Sequence, residues 1–170
     1  MSSEAPRSTG LGALAILLLT AAALVGADQL TKALVVDAME VGERIEVIGD
    51  LIMLWHVQNT GGAFSLLPGQ LPLMYAVTVL ALVMIAWFHR SFVGRAPWVM
   101  QVVLGMILAG TLGNLIDRVR QGYVTDFLSM GFGDTRFPTY NVADASLTIG
   151  IAALVIYLSF ADPRRREAAG

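Results

Sequence analysis

Asp126, in Tyr123-Val124-Thr125-Asp126-Phe127, and Asp144, in Asn141-Val142-Ala143-Asp144-Ala145-Ser146, each lie beside a long apolar segment. A carboxylate at a membrane boundary is costly to desolvate and usually has a task. Two carboxylates brought close together cannot both ionise cheaply, so they share one proton. Such a pair can hydrolyse an amide with nothing more than a water. The ionised member takes a proton from the water, and the protonated member donates to the carbonyl oxygen. The chain has no Cys and two His, which excludes thiolate nucleophiles, disulfides and Cys-based metal sites. Each aspartate also has a purely structural reading. Asn141 is a good helix N-cap, which puts Asp144 at the third helical position, favourable at the positive helix end. Asp126 alone reads as a loop acid.

Three further polar clusters adjoin apolar blocks. Asp28 and Lys32 are spaced for an i,i+4 helix pair. Asn59-Thr60-Gly61-Gly62-Ala63-Phe64-Ser65 reads as a turn after a strand, whose glycines allow close approach of a bound peptide. Asn114, Asp117 and Arg118 share one helix face, and Arg118 is also suited to a lipid phosphate. Gly105, Ala109, Gly110 and Gly113 predict close helix packing. One cluster is readily a cap or a pair; all of them beside apolar blocks point to a shared site.

The elements that must position these residues are membrane spans. The chain has 170 residues, is 56% hydrophobic and only 14% charged, whereas a soluble domain carries roughly a quarter charged residues. The apolar content predicts four transmembrane helices at about 11–30, 71–88, 96–116 and 144–161, each roughly long enough to cross the hydrocarbon core. Arg7, the first apolar stretch and Val25-Gly26-Ala27 have the pattern of a cleavable signal peptide. Three later spans, and a helical pattern that continues through Asp28-Gln29-Leu30-Thr31-Lys32, favour a permanent span. The fold class is therefore an α-helical integral membrane protein in one domain. A small extracytoplasmic β-sheet is expected over about 37–66, where Arg44–Ile48 alternates and Leu51–Val57 is β-prone. Residues 129–140, with Gly131, Gly133 and Pro138, read as a loop able to move over a site. The tail 163–170 is expected to be disordered.

Orientation follows the Lys/Arg distribution. Arg7, Arg90, Arg95 and Arg164-Arg165-Arg166 lie on one side, while regions 28–70 and 117–144 hold ten of the thirteen acids. Both termini are expected in the cytoplasm and both aspartates at the outer face. The eleven basic residues form no stripe, which speaks against nucleic acid as a partner.

Five stretches together resemble the lipoprotein signal peptidase family, the type II signal peptidases of bacteria. They are Asp28-Gln29-Leu30-Thr31-Lys32, Asn59–Ser65, Gly113-Asn114-Leu115-Ile116-Asp117-Arg118, Val124-Thr125-Asp126-Phe127 and Phe137-Pro138-Thr139-Tyr140-Asn141-Val142-Ala143-Asp144, in the family's order and spacing. Gly62 stands where Ala is more usual in the family. The resemblance implies an aspartic endopeptidase of the bacterial cytoplasmic membrane. It would remove the signal peptide from prolipoproteins whose cysteine already carries diacylglycerol. It implies Asp126 and Asp144 as the catalytic pair, with Asp28, Lys32, Asn59, Gly110, Asn114, Asp117, Arg118 and Asn141 as supporting positions. It also implies sensitivity to the cyclic peptide globomycin. No cofactor or metal is expected, membrane lipids are the surroundings, and a monomer is expected. Within the pair, Asp144 is expected to be the ionised member because of its helix N-terminus.

A second class stays open on the residues: a small transporter or channel subunit, with Asp28, Lys32, Asn114 and Asp117 lining a polar path. Transport sites usually lie near the bilayer midplane, whereas here the ionisable residues gather at one end of the spans.

Overall fold

The computed structural model describes residues 10–60, 71–93, 96–133 and 135–160. The element order is α1 (Gly10–Ala38), β1 (Arg44–Ile48), β2 (Ile52–Asn59), α2 (Leu71–Phe92), α3 (Val99–Gln121), β3 (Val124–Phe132), β4 (Thr135–Arg136) and α4 (Val142–Phe160). Arg7, Arg95, the Gly61–Ser65 turn and the 163–170 tail, each used in the reading above, fall outside the described residues.

All four helices are long and apolar enough to span a membrane. Helix α3 sits innermost, and the other three present broad apolar faces outward through side chains such as Leu18, Leu80 and Ile156. The small residues of α3 explain its place. A Cβ at Gly105 would lie 2.7 Å from the Leu17 carbonyl oxygen of α1, and one at Gly113 would lie 2.9 Å from Ala143 Cβ of α4. One at Gly110 would overlap the Ala143 carbonyl oxygen and stand 2.6 Å from Leu147 Cβ. Backbones therefore touch where side chains would otherwise hold them apart. Below these contacts Leu104, Ile107, Leu154, Ile85 and Leu17 form the apolar core.

Helix α1 runs eight residues past the expected end of the first span. No Gly or Pro interrupts the chain between Lys32 and Gly42, and Val35 and Met39 pack on Phe127 of β3, so the helix continues beyond the lipid. At 1.5 Å per residue it is about 44 Å long, well over the thickness of the hydrocarbon core. Its last turns form a bracket for the sheet.

The sheet is antiparallel in the order β1-β2-β3-β4. It draws strands from two places in the chain: the expected region before α2, and residues 124–136 after α3. The expected loop at 129–140 thus contains the end of β3 and all of β4. Its glycines belong to a hairpin, with Gly133 at φ +53° in the turn, while Phe137–Thr139 carry no strand. Strand β2 changes register on β3 between Leu54 and Val57, and Val57 then pairs with Asp126. Bulges of this kind re-aim side chains beside active sites.

Up-and-down topology brings the C-terminal ends of α1 and α3, the N-terminus of α4 and the sheet to one end. The start of α1 and the end of α2 meet at the other, where Gly10 abuts Val93. There Phe92 also stacks edge-on against Tyr157 of α4, 5.7 Å between centroids.

Candidate active site

Helix α4 begins with a reciprocal cap. The Asp144 N–H donates to Asn141 Oδ1 (2.9 Å), and the Asn141 N–H donates to Asp144 Oδ2 (3.2 Å). The geometry is that of a capping box. The structural reading of Asp144 is therefore correct, but it uses only one carboxylate oxygen. Oδ1 accepts from Asn114 Nδ2 at 2.7 Å.

Asp126 enters from β3. Its Oδ2 accepts from Asn59 Nδ2 on β2 (2.8 Å), and its Oδ1 accepts from Asn141 Nδ2 (2.7 Å). One carboxamide thus touches both aspartates: Asn141 caps α4 through its oxygen and holds Asp126 through its nitrogen. Both carboxylates line a single groove of about 590 Å³. Asp126 is only 2% exposed. Burial pushes its carboxyl up to about 7, the charge of Asp144 adds to the rise, and the hydrogen bonds from Asn59 and Asn141 partly oppose it.

Behind the pair lies a buried ionic cluster. Lys32 Nζ sits 2.8 Å from Asp28 Oδ2 and 2.9 Å from Asp117 Oδ2. It also donates to Asn114 Oδ1 at 3.3 Å. That bond fixes which way the Asn114 amide points: oxygen to the lysine, nitrogen to Asp144. Asp28 Oδ1 accepts from the Ala143 N–H (2.9 Å), which ties α1 to the first turn of α4. Asp117 Oδ2 accepts from the Thr125 N–H (3.1 Å), which ties α3 to β3 next to Asp126. The cluster therefore braces each aspartate through the backbone of its neighbour. Arg118 donates to the Asn114 carbonyl oxygen (3.3 Å), and Gly110 supplies the gap that lets α4 come close enough.

Of the residues singled out by sequence, Asp28, Lys32, Asn59, Asn114, Asp117, Asp126, Asn141 and Asp144 form one connected network. Gly110 and Arg118 border it. Two members were not singled out. Gln29 Nε2 reaches Asp28 Oδ2 (3.1 Å), the Gly113 carbonyl (3.3 Å) and Asp117 Oδ1 (3.0 Å). Thr125, almost wholly buried, gives its N–H to Asp117 and its carbonyl to Asn141. Both stand directly beside a chosen aspartate, and that adjacency was the available signal. Among the described residues, no cluster of His and acids is arranged to hold a metal.

Four membrane-length apolar helices, with a carboxylate pair and a small sheet gathered at one end, define a membrane-embedded protein. A family model described as signal peptidase (SPase) II matches residues 20–160. A lipoprotein signal peptidase of Enterococcus faecalis is 40% identical over 154 residues, covering 91% of this chain and 94% of its own. One from Listeria monocytogenes is 37% identical over 145 residues, covering 85% and 93%. A bacterial membrane enzyme solved by the in meso method at 2.3 Å resolution superposes with a TM-score of 0.75 at 35% identity, covering 84% of this chain and 86% of its own. The chain belongs to the signal peptidase II family. The transporter reading finds no support in these likenesses.

Proposed function

We propose that this protein is an aspartic endopeptidase that cuts the signal peptide from diacylglyceryl-modified prolipoproteins at the outer face of the bacterial cytoplasmic membrane. The observation that carries the reading is the carboxylate pair: Asp126 and Asp144 are both held by Asn141 and both line one groove. Family membership supplies the substrate class.

The groove suits a substrate that arrives from lipid. One wall is Ala145, Leu147, Thr148 and Ile149 of α4, and the opposite wall includes Met130, Phe137 and Tyr140. Ile149 is well exposed on the bilayer-facing side of α4, so an apolar signal helix and acyl chains can enter sideways without crossing water.

In the mechanism, Asp144 carries the negative charge, favoured by the α4 N-terminus and by the Asn114 and Asn141 donors. Asp126 holds the shared proton. Asp144 takes a proton from a water as its oxygen attacks the scissile carbonyl, while Asp126 donates to the carbonyl oxygen. Collapse of the resulting gem-diol breaks the C–N bond. The amide nitrogen leaves with the proton that Asp144 collected, and Asp126 recovers its own.

Purified protein incubated in detergent with a lipidated prolipoprotein is expected to give a globomycin-sensitive mass shift. Asp126→Asn and Asp144→Asn are each expected to lower the rate by at least about 10²-fold while the protein stays folded and monomeric. Near-normal cleavage by either variant would remove that carboxylate from the mechanism.

A further inference from the structure

The groove does not end at the carboxylate pair. A second, polar half of about 420 Å³ continues from Asn59, Asp126 and Phe137–Thr139 across the face of the sheet. Its floor is Trp55, Val57 and Asn59, alternate residues of β2, and its far edge is Arg44 of β1. The two halves differ in chemistry. The apolar half runs along α4, where the lipid lies. The polar half lies over the face of strands β1 and β2.

Two arginines line the polar half, and only one has its charge committed. Arg136 is paired with Asp50 at 3.0 Å and donates to Ser129. Arg44 stacks its guanidinium over the Trp55 ring, 3.8 Å from the centroid. It makes no hydrogen bond or ion pair among the described residues. Stacking fixes the plane and leaves the N–H donors directed outward, the arrangement that recognises a carboxylate. The only acid lining this half among the described residues is Asp126 itself.

We propose that the polar half is the subsite for the segment that follows the lipidated cysteine, and that Arg44, held on Trp55, selects an acidic side chain there. The inference rests on the peptidase reading, because it takes Asp126 and Asp144 as the point of cleavage. The sheet sets the position. Arg44 pairs with Trp55, and Val57 pairs with Asp126. Arg44 is thus two strands across and two residues along from Asp126, on the order of 12 Å, or about three to four extended residues. The selected residue is the third or fourth after the scissile bond.

The test is a competition between diacylglyceryl-modified peptides that differ only there, Asp in one and Arg in the other. The unaltered protein is expected to favour the Asp peptide in kcat/KM by about threefold, the size of one exposed ion pair. Arg44→Gln is expected to bring the ratio to about one, and Arg44→Glu to reverse it. Arg120→Gln, at the same end of the molecule but outside the groove, should leave it unchanged. A ratio is read within one preparation, so a poorly folding variant lowers both rates without imitating the result. Equal ratios in the unaltered protein and Arg44→Gln, or equal loss in Arg120→Gln, overturn the subsite. So does an Arg44→Gln effect that is the same for both peptides and tracks the anionic lipid content, which would make Arg44 a headgroup contact. Failure to cut either peptide would count against the peptidase reading itself.

Discussion

Asn141 sets the relation between two groups that repel each other. Its oxygen is committed to the Asp144 N–H, so its amide must face Asp126. The carboxyl of Asp126 is held at about 7, chiefly by burial and then by the Asp144 charge, and that has two consequences, both unfavourable as pH rises. In the folded protein Asp126 keeps its proton to higher pH than in the unfolded chain, where a free aspartate titrates near 4. Between these values the folded state binds more protons, so stability falls as pH rises through the window, by at most about 1.4 kcal/mol per pH unit. Apparent Tm in detergent is expected to drop from pH 5 to pH 8, and Asp126→Asn should flatten that slope. Activity needs the same proton, so kcat/KM is expected to decline above about pH 7. A flat stability profile in the unaltered protein, or full activity well above that pH, would remove Asp126 as the proton holder. Much of this site was legible residue by residue, because boundary acids are expensive and few. Gln29 was not, since its partners at Gly113 and Asp117 stand 84 and 88 positions away. Its place beside Asp28 was the one local hint, and it names neither distant partner.

At the scale of elements, the glycines of α3 are as much part of the site as the acids. A Cβ at Gly110 would run into the Ala143 carbonyl and Leu147 Cβ, both on the first turns of α4. Backbone cannot rotate away as a side chain can, so α4 must shift, and Asp144 follows Ala143. Gly110→Ala is expected to destabilise by about 1–3 kcal/mol and to lower kcat by up to about 10²-fold, the effect of a 1 Å misplacement. Gly26 makes the control: a Cβ there meets nothing within 4 Å, so Gly26→Ala should be neutral or up to about 1 kcal/mol stabilising. Thermal unfolding and turnover of the two variants check both statements. The helices were legible because apolar length is a strong pattern. The sheet was legible only in its first half. Val124-Thr125-Asp126-Phe127 is too short and too buried to alternate visibly, and Gly131, Gly133 and Pro138 imitate a loop. What makes β3 and β4 strands is tertiary: β2 on one side, and the hold of Asp50 on Gly133 and Arg136.

For the whole molecule, the arrangement of charge predicts which way the bundle sits in the membrane. The sheet, the ionic cluster and the carboxylate pair share one end, and Arg90 at the close of α2 lies at the other. Arginine near a short link resists translocation, so the Arg90 end is predicted to face the cytoplasm and the sheet the outside. The same placement puts the carboxylate pair where a translocated prolipoprotein, anchored by its lipid, presents its cleavage site. The chain has no cysteine, which makes the test direct. Glu46 on β1 and Arg90 are both exposed, so Glu46→Cys and Arg90→Cys each give a single reporter. In intact cells, with the outer barrier opened where there is one, a membrane-impermeant maleimide is expected to label the Glu46→Cys protein fully. It should label the Arg90→Cys protein only after the cytoplasmic membrane is permeabilised. The opposite pattern would invert the bundle and put the pair on the wrong side for its substrate. Labelling of both in intact cells would mean that α2 does not span. Either result would leave the carboxylate chemistry intact and remove the membrane address from the proposed function.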